Sequence, residues 1–401
     1  MLTVDEARAR ILAGLHPTAP EVAPLAEAWG RVGATAVHAR LHQPPADVSA
    51  MDGFALRAAD GSLGARLRLV GAAPAGHPWP GTLGQGEAVR LFTGSLIPAG
   101  ADTVLLQEDA TEAEGLVTVT EAVRPGRHIR RAGQDFAAGD LLIAAGRRLT
   151  ARDIGLAAAG NHPWLAVHRR PRVAILATGD EIALPGEPIP PGGIVSSNAH
   201  ALAALVRAHG GEPIVLPIAG DTLAAIAAGA DAARGADLLV TTGGASVGAH
   251  DLVRDGLAQR GFALDFWKIA MRPGKPLMFG EVRGLPVLGL PGNPVSALVC
   301  AVLFLLPALA RLSGLPGDPP PRTRASLAAA LPANDHRADH LRARLAEAPD
   351  GTLLATAFER QDSALMRLLA SADALILRAP HAPAAPAGTL VEVIRLDRLG
   401  V

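Results

Sequence analysis

The feature that most restricts the fold of this chain is the alternation of apolar runs with helical stretches between Arg169 and Leu315. VAILATG (173–179) reads as a buried strand, and NAHALAALVRAHGG (198–211) as a helix ending on glycines. PIVLPIAGD (213–221), TLAAIAAGADAARG (222–235) and ADLLVTTGG (236–244) continue the pattern. GLPVLGLPGNP (284–294) and an apolar helix close it. Strands separated by helices pair in parallel, because each crossover has to return the chain to the same end of the sheet. In such a doubly wound sheet, ligands sit beyond the carboxyl ends of the strands.

The flanking regions have a different texture. Val4–Leu15 and Ala23–Ala39 read as helices, and Thr150-Ala151-Arg152-Asp153 reads as a cap leading into a third. From His42 to about Ala138, short runs such as LRLVG, AVRLF and TVLLQE are cut by Gly and Pro, the pattern of a small β-rich domain. After the proline cluster Pro316–Pro321, alternating segments from SLAAAL to TLVEVIRL predict an all-β domain of about 80 residues. The apolar run Val295–Ala310 falls short of the roughly 20 residues of a spanning helix and contains Pro307. A helix buried within the α/β domain is expected there.

Composition removes several functional classes. With 401 residues, 49% hydrophobic and 19% charged, the chain is globular and long enough for about two to four domains. A net charge of −1 supplies no general attraction to nucleic acid or anionic membrane, so neither is expected as a partner. Only 3% of residues are aromatic and none is Tyr, which argues against a base-stacking surface. The lone Cys300, in an apolar run, allows no internal disulfide and reads as an inert buried thiol. The start MLTVDEARARIL lacks the regions of a signal peptide, so a cytoplasmic protein is expected.

Of 37 basic residues only Lys268 and Lys275 are lysines, and both fall in FWKIAMRPGKPLMFG. An ammonium is a compact point charge and a guanidinium a planar fork, so a site that needs the first does not always accept the second. The strand-end loops nearby are rich in small polar residues: Thr178-Gly179-Asp180-Glu181, Gly220-Asp221-Thr222, Thr241 to Gly248, and Pro291 to Ser296. Glycines admit a ligand close to the backbone, and helix N-termini present N–H groups to anions. Four such loops at one edge point to a phosphate or pterin pocket. Glu181, Asp221 and Asp251 share that edge and suit Mg²⁺, which phosphate chemistry commonly uses; Asp180 and Asp221 are equally readable as helix caps. No GxxxxGK[ST], HExxH or GxSxG motif occurs.

Taken together, SAMDGFA (49–55), FTGSLIPAGADTVLLQED (92–109), GQDFAAGD (133–140), ATGDEI (177–182), SSNAHAL (196–202), TTGGASVGAHD (241–251), WKIAMRPGKP (267–276) and GLPGNPVS (289–296) stand in the order of one family. The chain resembles the molybdopterin molybdenumtransferases, the MoeA and gephyrin E-domain proteins. The resemblance implies an α/β multidomain protein: a helical N-terminal domain (1–41 and 139–168), an inserted β-rich domain (42–138), a doubly wound parallel-sheet molybdopterin-binding domain (169–316) and a C-terminal β-barrel (317–401).

It also implies Mg²⁺-dependent insertion of molybdate into adenylylated molybdopterin with release of AMP. The protein would be a homodimer whose active site lies between subunits, in contact with the molybdopterin adenylyltransferase. Asp52, Thr93 and Asp135 match substrate-facing positions of the insert, and Glu181, Asp221 and Asp251 match acids associated with metal and anhydride cleavage. Lys268, Arg272 and Lys275 match the basic loop, with Arg272 where a common form has Lys. Thr178, Gly179, Asn198, Gly243, Gly244, Ser246, Pro291, Gly292, Asn293, Pro294 and Ser296 fall on substrate-binding positions. Arg342 and Ser363 match polar positions linked to molybdate. His250 stands where many relatives have an acid. Two other readings are a molybdopterin adenylyltransferase on the same sheet domain and a non-catalytic gephyrin-like scaffold.

Overall fold

The computed structural model describes residues 1–243 and 252–401. Helix α1 (Val4–Ala13) starts on a capping box, with Thr3 Oγ1 accepting from the Glu6 N–H and the Glu6 carboxylate accepting from the Thr3 N–H. Its buried Ala7 and Ile11 pack into the core of the sheet domain, although the helix precedes that domain by about 160 residues in sequence.

The helix expected over Ala23–Ala39 is corrected by the structure. Pro20–Pro24 forms a strand antiparallel to Trp164–His168, only Leu25–Ala28 is helical, and Val37–His38 pairs with Leu141–Ile143. Pro24 offers no amide hydrogen and Gly30 takes φ +75°, so no continuous helix can cross this stretch. The helix expected after Thr150 does form, over Ala151–Ala159, on a Thr150–Asp153 capping box. Residues before and after the insert thus share one core of Ala28, Val37, Ile143, Leu149, Ala157, Leu165 and Val167. Between them stands a six-stranded sheet that includes Gly53–Leu56, Arg66–Ala73, Glu87–Leu91 and Thr103–Leu106.

The sheet domain runs β1 (Arg172–Ala177), α2 (Asn198–Ala208), β2 (Glu212–Val215), α3 (Leu223–Ala232), β3 (Leu238–Thr242), α4 (Leu252–Ala258), β4 (Phe262–Trp267), β5 (Met271–Arg272), β6 (Met278–Val282), β7 (Leu285–Leu290) and the helix α5 (Pro294–Leu312). In space the sheet is ordered β2–β1–β3–β7–β6–β4. β1, β2, β3 and β7 are parallel, and β6 runs against both its neighbours. The carboxyl ends of β1, β2, β3, β4 and β7 therefore gather at one edge. Apolar side chains line both faces because helices cover both, so strands such as β1 are almost wholly buried.

Helix α5 is long and apolar enough to span a membrane, yet 89% of it is buried inside the protein. Its middle, Ala301–Leu305, is π-helical just before Pro307, a residue without the amide hydrogen a regular turn would use. Cys300 lies in this helix, fully buried, and burial pushes its thiol far above the usual range. The C-terminal strands Arg322–Leu327, β8 (Ala338–Glu347), Leu353–Ala357, Ala374–Arg378 and Leu390–Arg395 close into a barrel. The two-residue strand β5, although it belongs in sequence to the sheet domain, pairs in parallel with β8 of this barrel.

Candidate active site

A cavity of about 1170 Å³ opens between the carboxyl edge of the sheet and the C-terminal barrel. Of the residues singled out from sequence it is lined by Glu181, Asn198, Gly243, Arg272, Lys275, Pro291, Gly292, Asn293, Pro294, Ser296 and Ser363. Its floor is a stack of strand-end turns. Gly243 takes φ +98° after β3, and a Cβ there would meet the Thr178 carbonyl oxygen at 2.4 Å. Thr178 is buried at the end of β1, with its hydroxyl unpartnered among the described residues. Asn198, at the start of α2, donates its side-chain N–H to the Gly292 carbonyl at 2.7 Å and so joins the turn after β7 to the helix after β1.

The acids at this edge are arranged unequally. Glu181 lines the cavity, and its carboxylate folds over Gly179, where φ is +143° and a Cβ would meet Glu181 Oε2 at 2.4 Å. Asp221 lies at the same edge, outside the cavity lining. Its N–H donates to Asp180 Oδ1 at 3.0 Å, and the Asp180 N–H donates back to Asp221 Oδ2 at 3.4 Å. Neither caps a helix: α3 is capped by Thr222, which accepts from the Ala225 N–H. Gly244, Ser246, His250 and Asp251 lie outside the described residues.

The basic loop separates its charges. Lys268 sits at φ +73° with Nζ 3.9 Å from the Trp267 ring, away from the cavity lining. Lys275 lines the cavity and its ammonium has no ion-pair or hydrogen-bond partner among the described residues. Arg272 also lines it, but its guanidinium is engaged by Asp339, a pairing that raises its pKa further.

The barrel supplies the opposite wall, which includes Gln361, Asp362, Ser363 and Met366. Asn293 Nδ2 donates to Ser363 Oγ at 2.8 Å, and the Val295 N–H donates to the Ser363 carbonyl at 3.1 Å, so the start of α5 is stitched to this wall. Arg342 lies behind the wall, fully buried, donating to Gln361 Oε1 at 3.1 Å and to the Asp362 carbonyl at 2.7 Å. Its Nη2 has no partner among the described residues, and burial lowers its pKa. Sequence reasoning missed Gln361, Asp362 and Met366, which come from an irregular stretch and the start of the short helix Met366–Leu369, with no motif of their own.

The insert residues stand apart: none lines this cavity. Asp52 Oδ1 accepts from the Thr93 N–H at 2.6 Å and from the Thr93 hydroxyl at 2.8 Å. These bonds hold the exposed Asp52 carboxyl below its ordinary pKa. Asp135 is exposed in its turn.

Fold and site together are those of an α/β enzyme with a cavity at a sheet edge roofed by a barrel. Comparison with known proteins sharpens this. Residues 2–160 match the family model for the MoeA N-terminal region, residues 174–311 that for a probable molybdopterin-binding domain, and residues 324–396 that for the MoeA C-terminal region. The chain is 36% identical to molybdopterin molybdenumtransferase 2 of Mycobacterium tuberculosis, covering 98% of this chain and 99% of the relative. It is 40% identical to the molybdopterin molybdenumtransferase of a Nostoc species, covering 74% and 70%. A MoeA protein structure from Pyrococcus horikoshii superposes with a TM-score of 0.86 at 29% identity, covering 98% of this chain and 99% of that one. The chain belongs to the MoeA family of molybdopterin molybdenumtransferases.

Proposed function

We propose that this transferase of molybdenum cofactor biosynthesis inserts molybdate into adenylylated molybdopterin, with Mg²⁺-dependent release of AMP. The observation that carries the reading is the cavity itself, lined by Lys275, whose ammonium is unpaired among the described residues, by Glu181 and by the turns after β3 and β7. Molybdate is a dianion, and cleavage of a phosphoanhydride builds charge on the departing phosphate oxygens. A preorganised ammonium beside those oxygens stabilises that charge more in the transition state than in the ground state. Asn198 and Asn293 hold the glycine turn in place, which keeps its backbone open to a close ligand.

The donors at the edge are hard oxygens, the type Mg²⁺ prefers. Among the described residues no group of three or more His, Cys, Asp or Glu comes together, so these residues alone form no cage. Glu181, with Asp221 and Asp251 as the further candidates, would hold the ion alongside the substrate's own phosphates. When bound, Mg²⁺ neutralises developing charge on those oxygens.

The protein acts as a homodimer in this reading. Asp52, Thr93 and Asp135 lie outside the cavity of their own chain and would complete the site of the partner subunit. The exposed Val22 (71%), Trp29 (68%) and Trp164 (57%) offer an apolar surface for association. The reading also places the protein in the cytoplasm, where it would receive substrate from the molybdopterin adenylyltransferase.

The test is AMP release from purified adenylylated molybdopterin. Release that depends on both molybdate and Mg²⁺ is expected. Rapid formation of adenylylated product from ATP and molybdopterin without molybdate would instead make the protein an adenylyltransferase.

A further inference from the structure

Arg272 and Asp339 are register partners where β5 meets β8. The guanidinium lies as a fork on the carboxylate: Nε donates to Oδ1 at 2.7 Å, and Nη2 donates to Oδ2. Nη1 also reaches Asp335 Oδ2 at 3.4 Å, and Nη2 reaches the Asn334 side-chain oxygen at 3.4 Å. The Asp339 side chain is only 6% exposed against 47% for Arg272, so the acid is the buried partner and depends on this cation.

The same segment positions the basic loop. The Lys268 N–H donates to the Leu277 carbonyl at 3.0 Å, and the Ile269 N–H donates to the Lys275 carbonyl at 3.0 Å. The Ala338 N–H donates to the Ala270 carbonyl at 2.9 Å, which ties the loop to the barrel one residue before Asp339. Any shift of β5 relative to β8 therefore moves Lys275. An anion approaching Arg272 would meet Asp339 and Asp335 as well as the guanidinium, whereas Lys275 has no carboxylate partner among the described residues.

We infer that Arg272 is a latch and Asp339 a positioning residue: together they fix the 268–277 loop on the barrel so that Lys275, not Arg272, meets the oxyanion. That the loop meets an oxyanion rests on the function proposed above; the latch itself does not. Here the guanidinium grips both carboxylate oxygens at once, which a single ammonium does not do in the same planar geometry.

The discriminating variant is Asp339→Asn, because a latch and a direct ligand predict opposite signs. Loosening a latch weakens molybdate binding by about tenfold or more, with the KM for adenylylated molybdopterin changed by less than about twofold. Freeing a guanidinium that itself binds the anion leaves molybdate binding unchanged or strengthens it, and that result overturns the proposal. Hydrogen exchange without any substrate supplies a second readout. The Ile269 and Leu277 amides should exchange about tenfold faster in the variant while β1 amides hold their rate, and unchanged loop exchange also overturns the proposal. Should Asp339→Asn not fold, Arg272→Lys keeps the charge but loses the fork. Loop amides that exchange about fivefold faster in that variant support the latch, and unchanged loop exchange overturns it. If the unmodified protein binds no molybdate, the functional reading fails while the exchange measurement still decides the latch.

Discussion

The two walls of the cavity are built on different principles. The sheet wall consists of turns that follow strands, with Glu181 after β1, Gly243 after β3 and Pro291 to Pro294 after β7, and each is placed by the strand it follows. The barrel wall consists of an irregular stretch and the start of a short helix, Gln361 to Met366, held by Arg342 from behind and by Asn293 across the gap. The first is rigid because a parallel sheet buried on both faces cannot shift its strand ends independently. The second is docked by a few polar bonds, by the β5–β8 pairing and by apolar contacts of Leu369, Leu375, Ile394 and Leu396 with the core of the sheet domain.

The largest expected effect concerns the barrel side. His340 on β8 is only 5% exposed, its Nδ1 is unpartnered among the described residues, and burial lowers its pKa to about 4. The unfolded chain takes up its proton near pH 6.5, whereas the folded protein does so only near pH 4. Between those values the unfolded state binds more protons, so stability falls as pH drops, by about 3 kcal/mol in total from this group. Above pH 6.5 it contributes no slope. Urea unfolding of the protein and of His340→Leu at about pH 7, 5.5 and 4 checks this, and equal slopes in both would remove His340 from the account.

On the sheet wall, Gly243→Ala forces a Cβ against the Thr178 carbonyl at positive φ and should destabilise the protein by about 2 kcal/mol. A fall of less than about 0.5 kcal/mol by urea titration would show that this edge yields as readily as the barrel side.

Chemistry comes next. Glu181→Gln and Lys275→Ala should each slow AMP release by at least about tenfold, or about 1.4 kcal/mol of barrier, and Lys268→Ala by less than about threefold. Equal losses at the two lysines would contradict their separation by the loop. Replacing each with Arg asks whether an ammonium is needed: full activity in both variants would make the clustering of the two lysines incidental.

The smallest effect is expected from Asn293→Ala, which removes the bond to Ser363 at a cost of about 1 kcal/mol. If docking rests on that bond, Asn293→Ala and Ser363→Ala should couple in a double-mutant cycle, and strictly additive effects would assign the seam to β5–β8 and the shared apolar core.

The sheet wall is legible in the amino-acid order, because hydrophobic alternation locates strands and the next few residues must then lie at their ends. The helix expected over Ala23–Ala39 does not form because its residues pair with strands more than a hundred positions away, contacts that local periodicity does not encode. The capping boxes at Thr3 and Thr150 are readable because each is closed within four residues. Asp339 is not: it meets Arg272 from 67 residues along the chain.

The amino-acid order by itself determined the strand–helix alternation, the glycine-rich strand ends and the gathering of both lysines in one short loop, since each depends on residues close in sequence. Only the tertiary structure decided what those charges do. It set Lys268 against Trp267, left Lys275 unpaired at the cavity among the described residues and clamped Arg272 onto Asp339. The physical reason is that the effect of a charge is fixed by the groups within a few ångströms of it. For Arg272 those groups are supplied by a barrel whose residues follow the loop by about 60 positions and more.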